Sequence, residues 1–244
     1  MICKMCFGNN ILVNAHIIPA SFYRYLKRSD IRPLEIHTNV RGEYKKKSHI
    51  GIYDKNILCK NCEKIFQRYD DYAQHILLPD FKEKHYILNN SGKKVGYNME
   101  NVNYDLLKLF FMSLLWRASV SIRKEFSRIN VGPFEEALRS MIQDGNPGDE
   151  NVFSVIVSRF DDYLGKNFLL DPHNEKFDGI NFCRFYLGAG YRVFIKVDKR
   201  TLPKSNIFRF FILKPNHPLH ITIHSLLPSS KELGVLKKVI KAKN

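Results

Sequence analysis

Acidic residues are scarce in this chain. Asp and Glu number 24 against 39 Lys and Arg, a formal net charge of +15 over 244 residues. That deficit favours a polyanionic partner, nucleic acid or an acidic membrane surface, with plain solubility as the blander reading. A long uninterrupted apolar run is missing too. The most apolar stretch, LLKLFFMSLLWRASVSI, carries Lys108 and Arg117 and is too short and too charged to span a bilayer, so a buried helix is expected. No basic start followed by an apolar stretch opens MICKMCFGNN, so no secretory signal is visible and a cytoplasmic protein is expected. Internal repeats and low-complexity tracts are absent. Disorder is excluded by what is plentiful: hydrophobic residues make up 44% and aromatics 13%, enough for one large core or two modest ones.

Cysteine is sparse as well, but four of the five stand in two Cys-x-x-Cys pairs, Cys3/Cys6 and Cys59/Cys62, separated by 52 residues. Thiolates two residues apart reach one ion from a single tight turn, and two such pairs make a four-thiolate structural zinc site. A redox dithiol fits less well, because the pairs lack a βαβ setting. A closed four-thiolate site leaves no coordination position for substrate, so catalysis must come from other residues. Cys183 stands alone and reads as a small buried hydrophobe.

The spacing of Ile65, Phe66, Tyr69, Tyr72, Ala73 and Ile76 predicts a helix that starts at the second cysteine pair and ends at Pro79. RGEYKKKSHIGIYDKN reads as an exposed loop or hairpin, and HYILNNSGKKVGYNM as a hairpin turning at Asn90, Ser91 and Gly92. A long apolar helix from about Tyr104 to Phe126 follows, then a second with Pro133 near its start and Gly145 past its end. NVFSVIVSRF, NFCRFYL, YRVFIKV, IFRFFILK and LHITIHSL are β-branched and aromatic runs expected to form a mainly antiparallel sheet. SSKELGVLKKVIKAKN closes as an amphipathic helix, with Ser229 and Glu232 fitting a capping box. The expected class is α+β, divided into a zinc-bearing module over residues 1–98 and an α+β part over 99–244.

The order Cys-x-x-Cys, then His16 in AHIIP, then Cys-x-x-Cys entering a helix resembles the HNH endonucleases, the His-Me or ββα-metal finger family, over roughly the first third of the chain. The resemblance implies a zinc-bound ββα, treble-clef-like finger in which His16 ends the first strand and acts as general base. It places Glu63, directly after Cys62, as ligand of a catalytic Mg2+ or Mn2+. Asp54, in YDKNILC, falls where the family has the Asn that fixes its loop, and would help hold the cation. Ala15 departs from the family pattern, in which many members carry a metal-ligating Asp. Asp54, Asp70 and Asn14 are then all open as the second ligand, with Asp70 on the face of Glu63 but two helical turns away.

Those residue types suit phosphodiester hydrolysis. A neutral imidazole accepts a proton from water near neutral pH, a hard cation offsets phosphate charge, and a carboxylate suits that cation. Arg24, Arg41 and the Lys45–Lys47 run are candidate phosphate contacts, and His37 and His49 lie in the same region. Trp116 reads as packing, and a buried Arg117 needs a partner. The expected function is a metal-dependent endonuclease acting on double-stranded DNA, with antiviral defence or mobile elements as the setting the resemblance implies. A zinc-stabilised nucleic-acid-binding protein without cleavage, and a protein-interaction platform, are the other readings. No chemical motif marks residues 99–244, which could form a homo-oligomer or bind an effector partner.

Overall fold

In the computed structural model, which describes residues 1–27, 34–36, 46–48, 51–166, 169–227 and 229–241, the polar first quarter of the chain folds into short pieces. These are β1 (Ala15–His16), α1 (Ala20–Lys27), β2 (Leu34–Ile36), β3 (Lys46–Ser48) and β4 (Tyr53–Asp54). β1 pairs antiparallel with β4, and β2 with β3. Lys46 and Lys47 are thus strand positions, whereas His37, Arg41, Lys45 and His49 lie outside the described residues. α2 (Lys60–Leu77) follows the second cysteine pair and buries Phe66, Tyr69, Ala73 and Leu77, one apolar stripe at helical spacing.

The remaining strands are β5 (Tyr86–Leu88), β6 (Lys94–Met99), β7 (Val155–Phe160), β8 (His173–Phe177), β9 (Ile180–Leu187), β10 (Tyr191–Lys196) and β11 (Leu219–His224). They form one seven-stranded sheet in the order β5-β6-β11-β7-β10-β9-β8, antiparallel throughout except where β11 runs parallel to β7. The class is therefore mixed α and β with a mainly antiparallel sheet. An expected boundary at residue 98 falls inside β6, whose partner β11 lies far along the chain. The hydrophobic core is likewise continuous, running from Cys3, Phe22 and Phe66 through Phe110 and Leu114 to Val193 and Ile221.

Helix α3 (Tyr104–Val120) is apolar on nearly every side because it lies at the centre of this core, against α2, α4 (Glu135–Gln143) and β10. Alternation along the strands separates two faces. Val155, Val157, Phe185, Val193 and Ile195 join the main core, whereas Ile156, Phe182 and Phe194 form a second cluster on the opposite face. With both faces covered, these strands read as continuous apolar runs.

Two expectations need correction. IFRFFILK is not a strand: Ile207–Phe210 forms a short 3-10 turn because the Asn206 side chain accepts a hydrogen bond from Phe208 N (2.8 Å), and Phe208 packs on Phe177, Phe182 and Phe194. Only Ile212 bridges to the sheet, at Ile156. The last helix, α6 (Lys231–Lys241), is capped one residue later than expected, by Ser230 Oγ accepting from Leu233 N (3.3 Å). A short α5 (Tyr163–Lys166) completes the fold. The first module meets the sheet closely where the β9–β10 connection passes α1: a Cβ at Gly188 would stand 2.0 Å from the Phe22 carbonyl oxygen.

Candidate functional site

Two turns bring the four sulfurs together. Cys3 and Cys6 lie on a tight hairpin closed by Cys3 N donating to Gly8 O (3.0 Å) and Phe7 N donating to Cys3 O (2.9 Å). Cys59 is the N-cap of α2, and Cys62 lies in its first turn. All four ligand atoms fall within 4.8 Å of one another, with Cys6 and Cys59 Sγ 4.0 Å apart. Zn–S bonds of about 2.3 Å in a tetrahedron place sulfurs roughly 3.8 Å apart, so the set can hold one zinc ion. Cys59 N–H points at Cys3 Sγ (3.4 Å), a donor that favours thiolate. Burial and the neighbouring thiols push the Cys62 thiol far up, a repulsion that a bound cation reverses. The hairpin is anchored from outside: Arg139 of α4 donates to Met5 O (2.6 Å) and lies over the Phe7 ring.

His16 ends β1, opposite Tyr53, and Ala15 lies opposite Asp54. Directly opposed residues of a strand pair share a face and successive residues alternate, so the ring of His16 shares a face with Tyr53 while Asp54 is on the other. The His16 and Tyr53 ring centroids are 6.0 Å apart, consistent with that placement.

Asp54 is 2% exposed and fully engaged. Its Oδ1 accepts from Asn56 N (2.9 Å) and Nδ2 (3.3 Å), and its Oδ2 from Ser121 Oγ (2.8 Å) and Ile122 N (2.9 Å). Burial alone would raise this carboxyl, but the hydrogen bonds outweigh it and hold it below its ordinary value. Four donors fill the acceptor positions of a carboxylate. Asp54 therefore fixes the loop between β4 and α2 to the end of α3. The expected pairing of Asp54 with Glu63 around one cation does not match this geometry.

The groups that do gather beside His16 come from α2 and α3. Arg117, with a side chain wholly excluded from solvent, grips Asp70 through Nη1–Oδ2 (2.8 Å) and Nη2–Oδ1 (2.7 Å). The same Nη1 donates to the His16 backbone oxygen (2.8 Å), and Nε donates to Ser113 O (3.3 Å). Asp70 lies near His16: its carboxylate feels the charges of both Arg117 and His16. Burial raises it above its ordinary value, and Arg117 opposes that rise. Glu63 has one buried oxygen, Oε2, without a hydrogen-bond partner. Burial raises its carboxyl, Arg117 pulling down and Asp70 pushing up. Among the described residues, the cysteines are the one group of three or more metal-ligand atoms that comes together; His16, Glu63 and Asp54 form no second one.

Arg24, a candidate phosphate contact, is exposed on α1. It lines a cleft of about 700 Å3 with Ser21, Tyr25, Asp71, Gln74 and His75, beside the helix face that carries Asp70. Trp116 is buried and stacked on Phe66, with centroids 5.7 Å apart. Cys183 is buried, and burial pushes its thiol up to about 12. Sequence reasoning missed the Arg117–Asp70 pair, although an arginine inside an apolar helix already demanded an acid. It also missed β8, whose signal was the Asp178-Gly179 turn, both residues at positive φ, before Ile180.

No helix among the described residues is long and apolar enough to cross a membrane. Comparison with family models, curated proteins and solved structures returned no match.

Proposed function

We propose that this protein is a divalent-cation-dependent endonuclease of the HNH kind that hydrolyses phosphodiester bonds of DNA. The observation that carries the reading is the order strand–strand–helix. His16 lies on the β1–β4 pair, and α2, entered through the Cys59/Cys62 turn, presents Glu63 and Asp70 toward the guanidinium that holds the His16 backbone. This order of elements supports reading the segment as the ββα arrangement that the sequence resemblance implies.

In this reading the four cysteines hold zinc and take no part in chemistry. His16 accepts the proton of the attacking water. Arg117 fixes the backbone of that histidine and, through Asp70, the distance between β1 and α2. Asp54 holds the connecting loop. Glu63 Oε2, buried and unpartnered, would supply the protein oxygen that holds Mg2+ or Mn2+. When bound, such a cation offsets charge on the phosphate and on the departing oxygen. The positive excess of the whole chain attracts the DNA backbone.

A second reading, a zinc-stabilised nucleic-acid-binding protein without cleavage, is favoured by Ala15, fully buried where a ligating acid would stand. Incubating the purified protein with plasmid and Mg2+ or Mn2+ separates the two. Nicking or linearisation by the wild type, lost in His16→Ala at unchanged zinc content, is the expected result. Salt-sensitive binding with no cutting by either protein would replace the nuclease reading with the second.

A further inference from the structure

The outer face of the sheet carries a polar constellation far from the zinc module in sequence. Tyr186, Arg192 and Ser158 form one cross-strand row over β9, β10 and β7, and Arg184 lies two residues before Tyr186 on the same face. Three donors from these strands meet at a single atom. Arg184 Nη1 (3.0 Å), Arg192 Nη1 (3.0 Å) and Tyr186 OH (3.3 Å) all point to Oε1 of Glu232, in the first turn of α6. Arg184 and Glu232 are 9% and 5% exposed at the side chain. Both arginines are also held from behind: Arg184 grips Glu175 through Nε and Nη2, and Arg192 Nε donates to Ser158 Oγ (3.2 Å). Both guanidinium groups therefore have anchoring partners other than Glu232.

We propose that this is a phosphodiester-binding site which the protein fills with its own C-terminal helix. Arg117 meets Asp70 side by side, and Arg184 meets Glu175 in the same way. At Glu232 neither arginine does so. Two guanidinium groups from two strands converge on one oxygen, and guanidinium recognises phosphate oxygens as well as carboxylate ones. With Glu232 withdrawn, two guanidinium charges face one remaining carboxylate, and an excess of one positive charge matches the single charge of a phosphodiester. Phe160 and Phe194 lie 5.1 and 5.2 Å from the Arg192 guanidinium, giving apolar ring surface beside the charge. A tethered carboxylate competes at an effective concentration in the millimolar range or above, so the helix lowers apparent affinity without touching the donors.

The test uses thymidylyl-thymidine, a dinucleoside with one phosphodiester, in the absence of divalent cation, and titration calorimetry on the full-length protein. Glu232→Ala is expected to bind it at least about tenfold more tightly than the wild type, the equivalent of one charge-assisted hydrogen bond no longer contested. Adding Arg192→Gln should remove that gain. An unchanged affinity in Glu232→Ala, or a gain that survives Arg192→Gln, overturns the proposal. Acetate displacing the dinucleotide at equal concentration also overturns it, because the site would then be a carboxylate latch for α6. Should Glu232→Ala fold poorly, hydrogen exchange on the wild type decides: the dinucleotide should speed exchange over 231–241 and leave α3 unchanged, and no change at α6 sinks the idea. His16→Ala plays no part in these outcomes, so they stand apart from the nuclease reading.

Discussion

The Arg117 guanidinium binds both oxygens of Asp70 and the backbone oxygen of His16 at once, so that α3, α2 and β1 meet at a single side chain. Breaking a buried pair by removing one partner leaves an uncompensated charge, which costs about 3–5 kcal/mol. Arg117→Met should destabilise the fold by that order in urea unfolding. The double variant Arg117→Met/Asp70→Leu should recover part of the loss. Additive losses would mean that the two groups do not act as a pair.

Zinc content is the second measurement. One zinc per chain is expected by elemental analysis, and Cys59→Ser should reduce it to near zero. Structural zinc sites carry roughly 10–16 kcal/mol of apparent binding energy that is folding energy, so chelation should melt the hairpin around Cys3 and the start of α2. A chelator that leaves the unfolding curve untouched would remove the structural role from the cysteines.

Glu63 should trade stability for function. Burial disfavours the charge on its carboxylate, so Glu63→Gln, assayed without added divalent cation, should be about 1 kcal/mol more stable. The same variant should lose cation-stimulated cutting. Lower stability in Glu63→Gln would indicate that the carboxylate is satisfied in the folded protein.

Lys108 supplies a pH dependence. Burial pulls its ammonium down to about 7, against the nearby charges of Asp149 and Glu150. Between about pH 7 and pH 10 the unfolded chain therefore binds more protons than the folded one, and stability rises with pH across that window. Lys108→Met should flatten the rise, by an amount on the order of a few kcal/mol. Parallel curves for wild type and variant would place the Lys108 ammonium in water.

Gly188 tests how the first module seats on the sheet. A Cβ there would stand 2.0 Å from the Phe22 backbone oxygen, so Gly188→Ala must push α1 away. A loss of about 1–3 kcal/mol is expected from such overpacking. Unfolding midpoints read by the lone Trp116 would report it.

Much of this was legible because it is local. A Cys-x-x-Cys turn needs only its own residues, and the apolar spacing after Cys62 fixed α2 to within a residue or two of its observed ends. What was not legible depends on distant partners. Asp54 and Ser121 are 67 residues apart in the chain, and Asp70 and Arg117 are 47. No periodicity announces either pair. Phe208 was misread because aromatic alternation looks the same in a strand as in a turn whose rings cover a strand. β11 wedges between β6 and β7, an order that requires comparing sheet edges rather than reading segments.

That wedge orders events during synthesis. The four clustered cysteines all lie at or before Cys62, so all are available while most of the polypeptide is still to be made. β6 has no central neighbour until β11 has left the ribosome, more than a hundred residues later. A nascent chain would thus carry an open sheet edge at β6 throughout that delay, when such an edge is most exposed to pairing with the wrong strand.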